Sequence, residues 1–202
     1  MTRSRPAERP PKPARVSFVD DAYARIKARI LDNEMPPGHR ALEAELALQL
    51  GMSRTPVREA LLRLQSEGFV RVAPRRGMQV LPIAPDDMSE IYDVITSLET
   101  TAAELMAARG PSSAELAPLD GAVAEMEAAL AAEDLDRWAE ADERFHRSLL
   151  AACGNRRLAA TALTFRDQVR RTRMLTLRLR PKPARSTEAH RALVAALRAA
   201  DP

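Results

Sequence analysis

The chain has 202 residues, with 31 Lys and Arg against 28 Asp and Glu, for a formal net charge of +3. Aromatics are only 3%, too few for a base-stacking RNA platform, and the single cysteine, Cys153, excludes an internal disulfide framework and any multi-cysteine zinc site. No apolar run approaches the roughly 20 residues that span a bilayer, and the N-terminus lacks the apolar core of a signal peptide, so a cytoplasmic protein with no membrane partner is expected.

The near-neutral total conceals an asymmetry. Residues 1–83 carry 15 Lys and Arg against 9 Asp and Glu, a balance of +6, whereas residues 84–202 carry 16 against 19, a balance of −3. A basic front and a mildly acidic back imply different partners, and a polyanion suits the first.

Residues 1–16 read as a disordered arm, rich in Pro and Arg with almost nothing apolar to bury. It is a solvated tail that can add phosphate contacts. From Phe18 the pattern turns helical: Val19, Tyr23, Ile26 and Ile30 recur at three- and four-residue spacing. Pro36-Pro37-Gly38 ends that helix, because proline lacks a backbone donor and glycine permits the reversal. Leu42, Leu46 and Leu50 line a second short helix that closes at Gly51. Ser53 is expected to cap a third, which carries Val57, Leu61 and Leu64 inward and stops at Gly68. Two β-like stretches, 69–72 and 78–81, then flank the basic turn Pro74-Arg75-Arg76-Gly77. Three helices with a glycine turn before the third, followed by a hairpin, describe a winged helix-turn-helix over residues 17–83.

Pro82 to Pro85 reads as a linker, and beyond it only helices are predicted. Asp86 or Asp87 is expected to cap the first, which runs to Gly110. Ser112 and Glu115 form a capping box for the second, and Asp134 opens a third that runs to Cys153. A long fourth reaches from Asn155 to about Arg180. Ser186 or Thr187 caps a fifth. The fold class is therefore mainly α, a winged helix-turn-helix plus an all-α bundle over residues 84–202.

Chemistry concentrates in two places. Ser53, Arg54, Thr55 and Arg58 occupy the outward start of the third helix, the end that enters the major groove, where arginine reads guanine O6 and N7 with a bidentate fork. Arg75, Arg76 and Gly77 form the wing tip, within reach of the adjacent minor groove or backbone. In the bundle, Asp142 and His146 stand four apart on one helix face. On spacing alone that pair reads more readily as a surface hydrogen bond than as a ligand pair. A mixed carboxylate and imidazole set of this kind suits a divalent transition metal. Trp138 reads as a core or interface ring, Cys153 as a small buried apolar group, and His39 as solvent-facing. The arginines at 166, 170, 171, 173, 178 and 180 read as a solvated helix face.

Residues 18–83 resemble the DNA-binding domain of the GntR family of bacterial transcription regulators. The resemblance is carried by Pro36-Pro37-Gly38, by Leu42-Glu-Ala-Glu-Leu-Ala-Leu-Gln-Leu-Gly51, by Ser53-Arg-Thr-Pro-Val-Arg-Glu-Ala-Leu61 and by Gly68-Phe-Val70. It implies that Arg54 and Arg58 contact operator bases. Ala44 stands where the family often has an arginine. Asp142-Glu-Arg-Phe-His146, its extension to Asn155, and the segment around His190 resemble the FCD ligand-binding domain of the FadR-like branch. That resemblance implies one divalent metal, zinc or a nickel- or manganese-like ion, held by Asp142, His146 and His190. The pattern's further histidine falls in a following helix, before which this sequence ends, and Ile95 occupies the register of an effector-gripping arginine.

The function implied is a ligand-responsive DNA-binding transcriptional regulator, a repressor that binds a palindromic operator as a homodimer and responds to a small organic acid. Two alternatives stand beside it: a metal-dependent enzyme using the Asp/His cluster, and a DNA-binding protein whose bundle only dimerises. No nucleophile elbow, Walker loop or dinucleotide fingerprint is present.

Overall fold

The computed structural model describes residues 17–176 and 182–199; the N-terminal arm and the arginines at 178 and 180 lie outside the described residues. The chain opens with helix α1 (Phe18–Leu31), whose first turn is capped by Ser17 accepting from the Asp20 amide. A two-residue strand β1 (Arg40–Ala41), α2 (Glu43–Leu50) and α3 (Arg54–Ser66) follow, then β2 (Val70–Ala73) and β3 (Gly77–Val80). The three strands form an antiparallel sheet in the order β1-β3-β2, with Ala41 opposite Met78 and Val72 opposite Met78 on the other side. Strand β1 is too short to leave a period in the sequence; its pairing with β3 ties the wing to the loop after α1.

The sharp turn between α2 and α3 rests on Gly51, whose φ of 68° lies in the left-handed region open to glycine. Ala22, Ile26, Leu46, Val57, Leu61, Leu64, Phe69 and Val80 then pack as one buried core beneath the three helices and the sheet. These apolar contacts, with Arg63–Asp20 and Tyr23–Glu67 between α1 and the end of α3, hold α3 in place.

The second half contains α4 (Pro85–Ala108), α5 (Ser113–Ala131), α6 (Leu135–Ala152), α7 (Arg156–Thr176) and α8 (Ala184–Ala199). Two start signals differ from expectation. Helix α4 begins at Pro85 rather than after an aspartate cap: proline's fixed φ suits the first helical position, and Asp87 reaches back to accept from the Ala84 amide at 3.1 Å. Helix α8 begins at Ala184, so Thr187 lies inside it, with its hydroxyl accepting from the Trp138 indole at 2.9 Å. The Ser112–Glu115 capping box and the Asp134 cap form as the sequence predicts.

Two apolar clusters hold the bundle. One joins Met106, Leu119, Met126, Trp138, Phe145, Val194 and Leu197; the other joins Met88, Ile95, Ala102, Leu150, Cys153 and Val169. Helix α7 lies against α4 and α6 on one side and touches α1 on the other. No described helix is long and apolar enough to cross a membrane.

Candidate functional site

The residues at the start of α3 are presented to solvent. Ser53, Arg54, Thr55 and Arg58 are all exposed, while Val57, Ala60 and Leu61 on the opposite face are buried. Ser53 occupies the cap position, yet its hydroxyl makes no cap hydrogen bond. Among the described residues neither Arg54 nor Arg58 has an acidic partner, so both guanidinium forks are available to an outside acceptor. Arg75 and Arg76 project from the wing tip, and Arg75 holds a left-handed φ of 61°. Gly77 is different. It is buried, with a φ of 74°, and a Cβ there would lie 2.2 Å from the Ala41 carbonyl oxygen. It lets β1 approach β3 and does not itself face outward. Ala44 is half-buried on α2 and offers no side-chain donor.

The three expected metal ligands come together. One donor atom each from Asp142, His146 and His190 lies within 4.8 Å of the others. His190 Nδ1 stands 2.5 Å from the Ser186 carbonyl, which only accepts, so that nitrogen carries the ring proton. His146 Nδ1 lies 2.9 Å from Oε1 of Glu99, an ion-pair contact without hydrogen-bond alignment. His190 therefore turns its Nε2 lone pair inward, and the Nε2 atoms of His190 and His146 face each other at 3.1 Å. Two ring nitrogens at that distance share a proton or face a common cation. Asp142 Oδ1 lies 3.6 Å from His190 Nε2, and it is buried without a hydrogen-bond partner, as are Glu99 Oε1, His146 Nδ1 and Arg166 Nε. The donor set and these orphaned polar atoms fit a divalent metal.

The charges around the site keep Asp142 ionised. Burial would raise its carboxyl, but the Arg173, His146 and Arg166 charges hold it well below the usual range, at about 2. For His190, burial lowers the imidazole below its ordinary value, and neighbouring His146 and Arg166 act in the same direction. The ring is thus biased toward the neutral, metal-ligating form.

Beside the two histidines opens a cavity of about 490 Å³. Its walls are apolar, from Ala103, Leu149, Leu193 and Leu197, and its ionisable groups are Glu99, Glu104, His146 and His190. Among the described residues no arginine or lysine lines it. Ile95 is packed in the second apolar cluster with Ala102, Leu150 and Val169, away from the cavity.

Helix α7 overturns the expectation of a solvated arginine face. Arg166 and Arg171 are 3% exposed. Arg166 donates to Asp142 at 3.3 Å and to Glu143 at 2.9 Å, and Arg173 pairs with Asp142 while lying 5.6 Å from the Trp138 ring centre. Arg171 donates to the Leu81 carbonyl at 2.5 Å, and burial alone pulls its guanidinium down to about 10. Arg170 pairs with Asp32 at the end of α1. Spacing could not separate these from surface charges, because their partners lie 23 to 138 residues away. Glu99 was equally hidden: it stands one turn beyond Ile95 on α4, and only the fold brings it to His146.

An exposed arginine-bearing recognition helix, a wing, and a helical bundle enclosing a ligand-sized cavity define a winged-helix DNA-binding regulator. Residues 18–80 match the bacterial regulatory proteins of the gntR family, and residues 90–202 match the FCD domain. The chain belongs to the GntR family of transcription regulators, in the branch that carries an FCD domain, and it is not an enzyme. An HTH-type transcriptional regulator of Agrobacterium vitis, from the TAR-I ttuE-ttuC' intergenic region, is 48% identical over 135 residues, covering 66% of this chain and 79% of that protein. The HTH-type transcriptional repressor GlaR of Escherichia coli (strain K12) is 28% identical over 161 residues, 78% of this chain and 73% of that one. Among solved structures, E. coli McbR/YncC superposes with a TM-score of 0.71 at 27% identity, covering 93% of this chain and 89% of its own.

Proposed function

We propose that this regulator is a cytoplasmic repressor that binds a palindromic operator as a homodimer and is controlled by a small organic acid seated beside a metal ion. In this reading residues 17–83 are the DNA reader and 84–202 the effector-binding and dimerisation unit. Arg54 and Arg58 read base edges in the major groove, Ser53 and Thr55 contact phosphate or base edges, and Arg75 and Arg76 contact the flanking minor groove or backbone. Gly77 contributes by holding the wing in shape. One recognition helix covers only a half-site, so two copies are required for a full operator. The name of GlaR as a repressor supports the sign of regulation.

The cavity carries the effector assignment. It adjoins His146 and His190, and among the described residues its walls offer a carboxylate no lysine or arginine. Asp142, His146 and His190 would hold zinc or a nickel- or manganese-like ion, and such an ion supplies the positive charge that a carboxylate needs there. A neutral or cationic effector would need no metal and would be drawn instead to Glu99 and Glu104.

The direct test measures operator affinity of the full chain by fluorescence anisotropy, with and without Mn(II) and a panel of di- and hydroxy-carboxylic acids. At least one acid is expected to change the affinity, and only when metal is present. Equal affinity under every condition, with no stoichiometric metal, would instead favour a bundle that only dimerises.

A further inference from the structure

Helix α7 carries two sets of contacts on different faces. Arg166 and Arg173, seven residues and so nearly two turns apart, both reach Asp142. Between them, Asp167, Gln168 and Arg171 reach the winged half. Asp167 pairs with Lys27 of α1 at 2.7 Å, Gln168 donates to the Glu67 carbonyl at 2.6 Å, and Arg171 donates to the Leu81 carbonyl. Asp167 is also held by Arg147 of α6, which in turn pairs with Glu143, the second partner of Arg166. The carboxylate at the centre of the Asp/His cluster and the docking face of the DNA reader thus share one helix and one continuous ion-pair network.

Asp142 is the most deeply buried ligand of the cluster, and its negative charge is already matched by two guanidinium groups. A divalent cation brought to Asp142, His146 and His190 would sit beside those two positive charges inside a poorly screened interior, and repulsion there is large. Arg166 is fixed on several sides, by Glu143 and Glu99 as well as Asp142, and only 4% of its side chain is exposed. Arg173 has Asp142 as its one ion-pair partner among the described residues and keeps 20% of its side chain exposed, so it has a route to solvent. It is the group that can yield.

We propose that Arg173 is a built-in counter-ion for Asp142, that cation uptake by the Asp/His cluster exchanges it outward, and that α7 passes this exchange to the winged half through Asp167 and Arg171. The exchange rests on the metal reading given above and adds its regulation: the site carries its own competitor. Releasing Arg173 alters the charge balance on α7 two turns from the Asp167–Lys27 contact, which couples cation occupancy to the placement of the DNA reader.

The experiment titrates Mn(II) into the full-length protein and into Arg173→Met, Arg173→Gln and Arg173→Lys, by calorimetry, and follows amide hydrogen exchange of residues 18–31 and 65–73. The neutral variants are expected to bind Mn(II) at least about tenfold more tightly than the parent, with Arg173→Lys restoring the parent's affinity. In the parent, Mn(II) should change exchange in both winged segments, and Asp167→Asn should abolish that change while still binding the ion. Equal Mn(II) affinity in the parent and both neutral variants overturns the exchange while leaving the metal site standing. Tighter binding by those variants with no exchange response in the parent overturns the transmission through α7. Absence of Mn(II) binding by all four proteins overturns the metal reading itself.

Discussion

Lys27 of α1 and Asp167 of α7 meet at 2.7 Å with 11% and 10% of their side chains exposed, a charged pair buried between the DNA reader and the bundle. Lys27 also donates to Glu67 at 2.9 Å and to the Tyr23 hydroxyl at 2.6 Å. Burial works against its charge, but Asp167, Tyr23 and Glu67 together raise the ammonium above its ordinary value. A buried ion pair of this kind adds little over an apolar contact of the same shape, yet it is costly to break on one side only. Its value lies in fixing how the two halves dock.

Lys27→Met should therefore destabilise the protein by about 2–3 kcal/mol, at the lower end for a one-sided break because Asp167 retains Arg147. Denaturant unfolding should show a lowered midpoint, with the winged half melting ahead of the bundle. An unchanged midpoint would mean that the junction carries no such constraint.

Arg58→Ala should weaken operator binding by about 1–3 kcal/mol and relax base preference, because an exposed fork on α3 is removed with no acidic partner left behind among the described residues. Arg75→Ala should act differently, lowering affinity for all sequences alike and reducing the salt slope by about one. Titrations at several salt concentrations distinguish the two behaviours.

Glu99→Gln should cost at least about tenfold in metal affinity, since the Glu99 carboxylate lies 2.9 Å from His146 Nδ1 and its charge is removed from beside the ligand. His146→Ala should cost about tenfold or more through loss of the ligand itself. Elemental analysis after dialysis checks both. If the two variants retain the parent's metal content, the ligand assignment is wrong.

Acid should destabilise the protein in two stages. His190 is held below its ordinary value in the fold, so below about pH 6.5 the unfolded chain takes up a proton that the folded chain resists, and stability declines as pH falls. Asp142 contributes stability that is complete above the usual carboxylate range and is lost as pH falls toward about 2. Metal affinity should fall over the His190 range as protons compete for Nε2. Thermal melts from pH 2 to pH 8 should show both declines. Asp142→Asn should remove the more acidic one, and a melt profile identical to the parent's there would contradict the pairing with Arg173.

Much of this was legible from local pattern. The winged half has short-range signatures: the spacing of Ile26, Leu46, Leu61 and Leu64, the Gly51 turn, and arginines on the polar side of α3. Asp142 and His146 were visible because four residues on a helix make neighbours. What stayed hidden depends on partners far apart in sequence. Glu99, Arg166 and Arg173 reach the cluster from α4 and α7, and no period marks a guanidinium as buried rather than solvated until its acid is in place. The same holds for Lys27 and Asp167, which look like ordinary surface charges one helix at a time. Proline at the first position of α4 and the two-residue β1 were lost for a different reason: each is a single local choice, too short for a pattern.

The most direct test of the central claim is selection of binding sites by the full-length protein from a pool of random duplex DNA. An inverted repeat should be enriched, its half-sites spaced by about one helical turn or a multiple of it, with Arg58→Ala losing the preference at the bases that α3 reads. Recovery of no common sequence, or of a single half-site without symmetry, would contradict the account of a dimeric operator-binding regulator.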